Sequence, residues 1–266
     1  MTNSAMLQNK RAVVFGAGGS IGAAVAKEFA AEGAEVFLAG RTKSSLEATA
    51  AAIVAAGGRA HAAPADALDD AAVNDYLDGV ARSGRIDVVF NATGPEPSKY
   101  GVGKRAVDLS VSEFLAAQTI VESQFVTAQA AARCMTRQGS GVVIFLTGSP
   151  ARGHVEGGAA IGAAFGAIET LMENMAFELG PSGVRAVCLR TTANTDSRTI
   201  QQVIAMQASR MNAPKDQVIA GIASYNFLKR PASIADTARA AAFLASDRAQ
   251  MFTGTMVNAT AGAALD

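Results

Sequence analysis

A loop rich in glycine lies where a run of apolar β-formers gives way to a helical pattern near the start of the chain. Glycine allows a tight turn and lets a phosphate group approach the backbone N–H groups at a helix N-terminus. The spacing departs from G-x-G-x-x-G and fits Gly16-x-x-Gly19-x-x-Gly22 instead. We predict a dinucleotide-binding loop rather than a simple turn, because a strand precedes it and a helix follows. The residues expected to bind are Gly16, Gly18, Gly19, Ser20 and Ile21.

Two cations and no acid follow the second apolar run, in Gly40-Arg41-Thr42-Lys43. An Asp or Glu at this point would bind the ribose 2′-hydroxyl of NAD, whereas an Arg suits the 2′-phosphate of NADP. The simpler alternative is a pair of solvated loop charges. We predict NADP(H) as the cofactor, with Arg41 and Thr42 among its binding residues.

Short β-branched runs alternate with longer Ala-rich amphipathic segments along the chain. The predicted strands are 12–15, 35–39, 60–63, 86–90, 141–146, 184–189 and 256–259. The predicted helices are 21–32, 44–56, 71–82, 111–137, 159–179 and 234–246. This alternation predicts one α/β domain over residues 1–266, with a Rossmann-type doubly wound parallel sheet of about seven strands and helices on both faces. Residues 1–9 are predicted to be a flexible start, and the polar stretch 191–226 a substrate lid.

Composition narrows the classes of partner. The 266 residues carry 23 Lys+Arg against 23 Asp+Glu, and half are hydrophobic. Zero net charge gives no long-range attraction to nucleic acid or to an anionic membrane. Two cysteines with no metal-like spacing predict neither a disulfide framework nor a metal site. We therefore expect a cytoplasmic protein with a small-molecule substrate.

Several motifs in order resemble those of the short-chain dehydrogenase/reductase family. Residues 16–22 resemble its T-G-x-x-x-G-x-G loop, with Ser20 in place of the middle glycine. Residues 91–94 resemble its N-N-A-G motif, 180–185 the turn before its sixth strand, and 243–247 with 253–254 its C-terminal signatures. The resemblance implies a homodimer or homotetramer built on the two long helices. It also implies dinucleotide contacts at Asp66, Ala67, Asn91, Thr93, Gly94 and Thr191.

The catalytic residues that this resemblance implies are mostly replaced. The family's reaction uses a Tyr to exchange a proton and a Lys four residues later to lower the Tyr pKa and hold the ribose. Ile161 and Phe165 align with that pair, or Gly162 and Gly166 if the match shifts by one residue. The family's relay Asn falls on Ile120, or on the next residue. Neither Ile nor Phe carries a titratable proton.

A property of the sequence makes this independent of the alignment, because no Tyr and no Lys occurs between Lys104 and Lys215. Ser149 matches the serine that orients the family's substrate. His154 is a candidate acid because its pKa lies near neutral, and Tyr100 is a second candidate. An exposed loop histidine and a surface tyrosine are the more ordinary interpretations.

The sequence thus predicts an NADPH-preferring oxidoreductase of atypical short-chain type. It would transfer hydride to a small or medium carbonyl, imine or enone substrate with a non-standard proton donor. The alternative is a catalytically inactive NADP-binding sensor or partner subunit. Loss of the Lys removes a ribose contact and predicts weaker dinucleotide binding than is usual for the fold.

Overall fold

A computed structural model describes residues 5–153 and 155–265 of the chain. Seven parallel strands form one sheet in the order β3-β2-β1-β4-β5-β6-β7. They are β1 (Arg11–Phe15), β2 (Glu35–Gly40), β3 (Arg59–Pro64), β4 (Val88–Asn91), β5 (Gly141–Gly148), β6 (Val184–Thr191) and β7 (Thr255–Asn258). The strand order reverses between β1 and β4, and such a switch opens a crevice beyond the carboxyl ends of the strands.

Helices cover both faces of the sheet. They are α1 (Ser20–Ala31), α2 (Lys43–Ala55), α3 (Asp70–Arg82), α4 (Val111–Gln138), α5 (Ala159–Leu179), α6 (Arg198–Met211), α7 (Lys215–Tyr225) and α8 (Ile234–Ala245). One apolar cluster joins the sheet to α3, α4 and α5, and a second joins it to α1, α2 and α8. The predicted Rossmann-type sheet with helices on both faces is therefore confirmed. No helix in the described part of the chain is long and apolar enough to cross a membrane.

The central strands extend further toward the crevice than their apolar runs indicate. β5 continues through Thr147 to Gly148, and β6 continues through Arg190 to Thr191. The two strands stay paired to these last residues, since Thr147 pairs with Arg190 and Gly148 with Thr191. Hydrogen bonds between the paired backbones keep these polar and glycine residues in the strands. The hydrophobic pattern alone predicts strands that end too early.

The long helix α4 is bounded by local signals that the sequence carries. Ser110 accepts a hydrogen bond from the N–H of Glu113 at 3.2 Å, and the Glu113 carboxylate accepts one from the Ser110 N–H at 3.0 Å. This capping box satisfies two of the N–H groups that the first helical turn leaves without partners. At the other end, Gly139 adopts a left-handed conformation with φ of 73° and ends the helix.

The predicted flexible start is wrong for residues 5–9. Leu7 is fully buried in the cluster on the α1 face, and its N–H donates to the Glu32 carbonyl at 2.8 Å. The Met6 N–H donates to the Glu32 carboxylate at 2.7 Å. Burial of one large apolar side chain and these hydrogen bonds fix a segment whose composition alone looks like a tail. Residues 1–4 lie outside the described residues.

The stretch predicted as a lid contains two helices, α6 and α7. Ile204, Ala208 and Val218 form a small apolar cluster between them, separate from the two main cores. Ser197 caps α6 by accepting a hydrogen bond from the Ile200 N–H at 3.2 Å. The segment is thus a helical hairpin with its own packing, and its role over a substrate stays a prediction.

Neighbouring residues on α2 provide a matched test of the core on the α1 face. Ile53 is 2% exposed and Val54 is 57% exposed. We expect Ile53→Ala to lower the free energy of unfolding by about 2–5 kcal/mol, because it leaves a cavity. Val54→Ala should change it by no more than about 0.5 kcal/mol. Urea unfolding followed by circular dichroism measures both values, and equal losses would contradict the packing described.

Candidate active site

The glycine loop between β1 and α1 is held tightly against its surroundings. Gly16 has φ of +74°, and a Cβ there would lie 2.9 Å from the Ala92 carbonyl carbon. A Cβ on Gly18 would lie 2.8 Å from Ser45 Cβ, and one on Gly22 would collide with the Gly16 carbonyl. Larger residues at these positions would push the loop away from its neighbours. No side chain caps the start of α1 at Gly19, so its first N–H groups have no capping side-chain partner, as an anion site would require.

The carboxyl ends of β2 and β3 place the residues expected near the adenosine. Arg41 is exposed and makes no ion pair within residues 5–153 and 155–265, whereas Lys43 Nζ lies 3.7 Å from Glu47. Thr42 is the N-cap residue of α2 and its side chain makes no capping bond. Asp66 follows β3 and accepts a hydrogen bond from the Leu68 N–H at 3.1 Å. Next to it, Ala67 is buried in the core.

Asn91 joins the end of β4 to α4 through its side chain. Its amide nitrogen donates to the Ser123 carbonyl and to Thr127 Oγ1, each at 2.9 Å. Its amide oxygen accepts hydrogen bonds from the Thr93 N–H at 2.8 Å and from Thr93 Oγ1 at 2.6 Å. Thr93 Oγ1 also lies 2.9 Å from Ser123 Oγ. With 2% of Asn91 exposed, its amide fixes the loop of residues 91–94, and the loop's backbone borders the crevice.

The helices α4 and α5 each place an apolar side chain against a glycine at the end of a strand. Ile120 Cδ1 lies 3.5 Å from where a Cβ on Gly94 would be. The ring of Phe165 lies 2.9 Å from where a Cβ on Gly148 would be. Ile161 and Phe165 are both half-buried and pack against the cluster on the α5 face. The crevice wall at the ends of β4 and β5 is therefore apolar.

Ser149 begins a short 3₁₀ turn directly after β5. Its hydroxyl lies 3.3 Å from Thr192 Oγ1, which links the end of β5 to the residue that follows β6. Helix α5 approaches this turn closely, because a Cβ on Gly162 would lie 2.8 Å from the Pro150 carbonyl oxygen. Ser149 therefore stands beside the apolar wall with a hydroxyl that can bond a polar atom.

The remaining residues predicted from the sequence have mixed positions. Tyr100 ends a short 3₁₀ turn, Pro97–Tyr100, and is 7% exposed within the cluster on the α4 face. Burial raises the pKa of the Tyr100 phenol to about 12, which makes it a weaker proton donor. The Thr191 hydroxyl lies 2.8 Å from Thr237 Oγ1, so it bonds toward α8. His154 lies outside the described residues.

A buried ion pair lies beneath the loop after β5, and the sequence pattern does not predict it. The Arg190 guanidinium donates to both Glu169 carboxylate oxygens at 2.9 Å, and Thr147 Oγ1 donates to the same carboxylate at 3.2 Å. Only 1% of Arg190 and 2% of Glu169 are exposed. The pair borders a cavity of about 450 Å³ between α5 and β7, which holds none of the predicted site residues. Its lining is Arg152, Glu169, Glu173, Arg190, Gly254, Thr255 and Met256.

No group of three or more metal-ligating side chains occurs among the residues that the structure describes. The candidate site instead combines four features. These are the glycine loop with the chemistry of an anion site, the exposed Arg41 after β2, the Ser149 hydroxyl after β5 and an apolar wall. A doubly wound sheet with this loop at its switch point defines a dinucleotide-binding class of fold.

Comparison with known proteins gives the family. A family profile described as "Enoyl-(Acyl carrier protein) reductase" matches residues 16–264. The chain is 31% identical to the short-chain reductase protein NovJ of Streptomyces niveus over 264 residues, which is 98% of this chain and 96% of that protein. The chain belongs to the short-chain dehydrogenase/reductase family and is an oxidoreductase of that type.

Solved structures agree with this placement. A protein from Beutenbergia cavernae, assigned as an NAD(P)-dependent gluconate 5-dehydrogenase and solved with NADP at low occupancy, aligns with a TM-score of 0.85 at 26% identity, covering 98% of each chain. A NAD⁺-bound xylitol dehydrogenase aligns with a TM-score of 0.87 at 25% identity, covering 95% of this chain and 98% of that chain.

The contact between α5 and the end of β5 predicts a coupled pair of substitutions. Gly148 has φ of −134° and ψ of 165°, which any residue adopts, so the cost of Gly148→Ala comes from the Phe165 ring. We expect this substitution to lower the free energy of unfolding by about 1–3 kcal/mol. The loss should disappear in a Phe165→Val background, as measured by a double-mutant cycle in urea. Gly166→Ala is the control, because its Cβ meets nothing within 4 Å. An equal loss in both backgrounds would exclude the contact.

The buried ion pair predicts a large asymmetry between two acids of the same cavity. Glu169→Gln removes the negative charge that accepts two hydrogen bonds from the buried Arg190 guanidinium and should cost about 3–5 kcal/mol of unfolding free energy. Glu173→Gln removes an exposed carboxylate and should cost no more than about 0.5 kcal/mol. Thermal unfolding by differential scanning calorimetry compares the two variants with the parent. Similar melting temperatures for both would show that Glu169 is not paired as described.

Proposed function

We propose that this chain is an NADPH-preferring oxidoreductase whose reaction needs no proton from a tyrosine. The observation that carries the proposal is the packing of Phe165 against Gly148 beside Ser149, at the wall where the crevice meets the ends of β4 and β5. Unless the match shifts by one residue, to Gly162 and Gly166, Ile161 and Phe165 would stand in place of the Tyr and the Lys that the family resemblance implies. Neither can donate a proton or hold a ribose hydroxyl.

The cofactor proposal follows from charge. The glycine loop would hold the pyrophosphate, and Arg41 would bind a 2′-phosphate because its guanidinium is exposed and has no ion-pair partner among the described residues. Thr42 and Asp66 border the same end of the crevice. NADP(H) supplies or accepts a hydride at its nicotinamide when bound. Relatives solved with NADP and with NAD⁺ support dinucleotide binding by this fold.

The substrate class follows from proton balance. Hydride addition to a ketone leaves an alkoxide, which needs a proton or strong stabilisation. Hydride addition to an iminium ion neutralises the positive charge and gives an amine with no proton required. An enone reduced at its β-carbon gives an enolate, which can take a proton from water. The Ser149 hydroxyl would orient a polar atom of such a substrate, and the α6–α7 hairpin would cover it as a lid.

The cofactor preference can be measured directly. Arg41→Ala should weaken NADPH binding about tenfold or more, since a charge-assisted phosphate contact is lost, and should leave NADH binding within about twofold. Isothermal titration calorimetry with both dinucleotides provides the readout, with Lys43→Ala as the control because Lys43 already faces Glu47. Equal affinity of the parent protein for NADH and NADPH would contradict the preference.

The reaction can be tested with substrates that share one ring. We expect NADPH oxidation with a cyclic N-alkyl iminium ion and little or none with the corresponding cyclic ketone. The iminium rate should stay nearly constant between pH about 6 and 9, because iminium reduction needs no proton. A reaction that used a histidine acid would slow within that range as the histidine lost its proton. A rate that falls with rising pH, and falls in His154→Gln, would instead identify His154 as the donor. Tight NADPH binding without turnover of ketone, iminium or enone would favour the inactive sensor or partner subunit.

We also propose that the chain forms a homodimer or homotetramer through α4 and α5. Large apolar side chains lie exposed on these helices, among them Leu115 at 56% and Phe177 at 85%. Burying such groups against a second copy would remove apolar surface from water. Sedimentation of the parent and of Phe125→Glu tests this proposal.

A further inference from the structure

The helix α6 spans the crevice and is attached at both ends. At its first residue, the Arg198 N–H donates to Ser20 Oγ at 3.0 Å, although the two residues are 178 positions apart. At its far end, the Arg210 guanidinium donates to the Gly103 carbonyl at 2.5 Å. The Gly103 N–H in turn donates to the Gly157 carbonyl at 3.1 Å. One helix therefore connects the glycine loop to the loops that follow β4 and β5.

The segment before α6 is fixed to a different part of the fold. The Ile234 N–H, at the start of α8, donates to Asp196 Oδ1 at 2.9 Å. The Thr195 N–H donates to the Ala232 carbonyl at 3.1 Å. These bonds set the position of residues 195–197 independently of the glycine loop, so they hold the first turn of α6 beside the first turn of α1.

Ser20 is the residue that makes this contact available. It stands where the family's loop has its middle glycine, and a glycine would offer no side-chain oxygen to the Arg198 N–H. A hydroxyl that accepts one hydrogen bond keeps its own proton as a donor. No described residue accepts that proton, so it is available to a ligand oxygen at the loop.

Arg198 is an exposed, positively charged residue whose backbone is bonded at the same place. Across residues 5–153 and 155–265 its guanidinium makes no ion pair. Its backbone is fixed by the bond to Ser20, next to the start of α1, where no side chain caps the helix. The long arginine side chain starts from this fixed backbone, within reach of the glycine loop, and both a guanidinium and uncapped N–H groups donate hydrogen bonds to the anionic oxygens of a diphosphate.

We propose that Arg198 binds the pyrophosphate of the dinucleotide and that Ser20 is its positioning residue. This inference rests on the proposed function, since it assumes that a dinucleotide occupies the glycine loop. This arginine clamp would supply a charged contact to the cofactor from α6. Such a contact would matter in a chain whose resemblance to the family puts Phe165 at the position of the ribose-binding Lys. Cofactor binding and the position of the α6–α7 hairpin are then linked through one hydrogen bond.

The first experiment compares two ligands that share the adenosine 2′-phosphate. NADPH contains the pyrophosphate, and adenosine 2′-monophosphate does not. Arg198→Ala should weaken NADPH binding by about tenfold, in the range of a lost charged hydrogen bond, and leave adenosine 2′-monophosphate binding unchanged. Arg41→Ala is the matched control and should weaken both ligands. Arg198→Lys should restore part of the NADPH affinity, because it keeps the charge without the planar fork.

The second experiment tests the positioning role. Ser20→Ala should weaken NADPH binding about threefold, and Arg198→Ala should then cost less than it does in the parent, because contacting residues are not additive. Ser20→Ala should also speed tryptic cleavage after Arg198 in the free protein. Full additivity together with unchanged cleavage would overturn the role of Ser20.

The outcomes separate this inference from the proposed function. If the parent protein binds no dinucleotide, both fail. If the parent binds NADPH and a folded Arg198→Ala protein, with an unchanged melting temperature, binds it equally well, only the clamp is wrong. Equal weakening of both ligands by Arg198→Ala would place the arginine at the 2′-phosphate and would likewise overturn the clamp.

Discussion

The close approach of α5 to the carboxyl end of β5 is the contact on which the candidate site depends. Helix and strand meet through Gly148 on one side and the Phe165 ring on the other. A Cβ on Gly148 would lie only 2.9 Å from the ring, closer than van der Waals contact. The same approach brings Gly162 against the Pro150 carbonyl and so fixes the turn that begins with Ser149. A well-packed interior transmits such constraints because it has little free volume. The position of the Ser149 hydroxyl is thus a consequence of apolar packing.

The crevice separates two kinds of chemistry along its length. At the glycine loop, the start of α1 has no side-chain cap, and the proposed roles of Arg41 and Arg198 would make this end of the crevice favour anions. At the ends of β4 and β5, the side chains of Ile120 and Phe165 form an apolar surface beside Gly94 and Gly148. A dinucleotide has matching ends, with phosphates at one side and a nicotinamide ring at the other. Under the proposed function, the whole cofactor would lie along the crevice with its nicotinamide beside these apolar side chains.

The sequence predicts the sheet well because strand and helix periodicities are local properties. The glycine loop is also local, since its conformation depends on residues that are adjacent along the chain. The packed start at Leu7 was missed because a single apolar residue in a polar segment has no period to detect. The contact between Ser20 and Arg198 was missed for a different reason. It depends on the position of the chain after β6 relative to α1. Tertiary geometry of that kind cannot be inferred from the spacing of residues.

The substitutions at the apolar wall depend physically on one another. A lysine at position 165 would need its ammonium group to reach a polar partner, and its stem would not fill the space that the aromatic ring occupies against Gly148. Any larger residue at position 148 would conflict with the ring in turn. Once the ring is present, the glycine is required, and the neighbouring Ile161 packs into the same apolar cluster. A tyrosine at position 161 alone would place its hydroxyl in that apolar cluster. Without a lysine cation beside it, burial would raise the pKa of this hydroxyl. Phe165, Gly148 and Ile161 therefore form one packing arrangement, in which a lysine at 165 or a tyrosine at 161 introduced alone would be unfavourable.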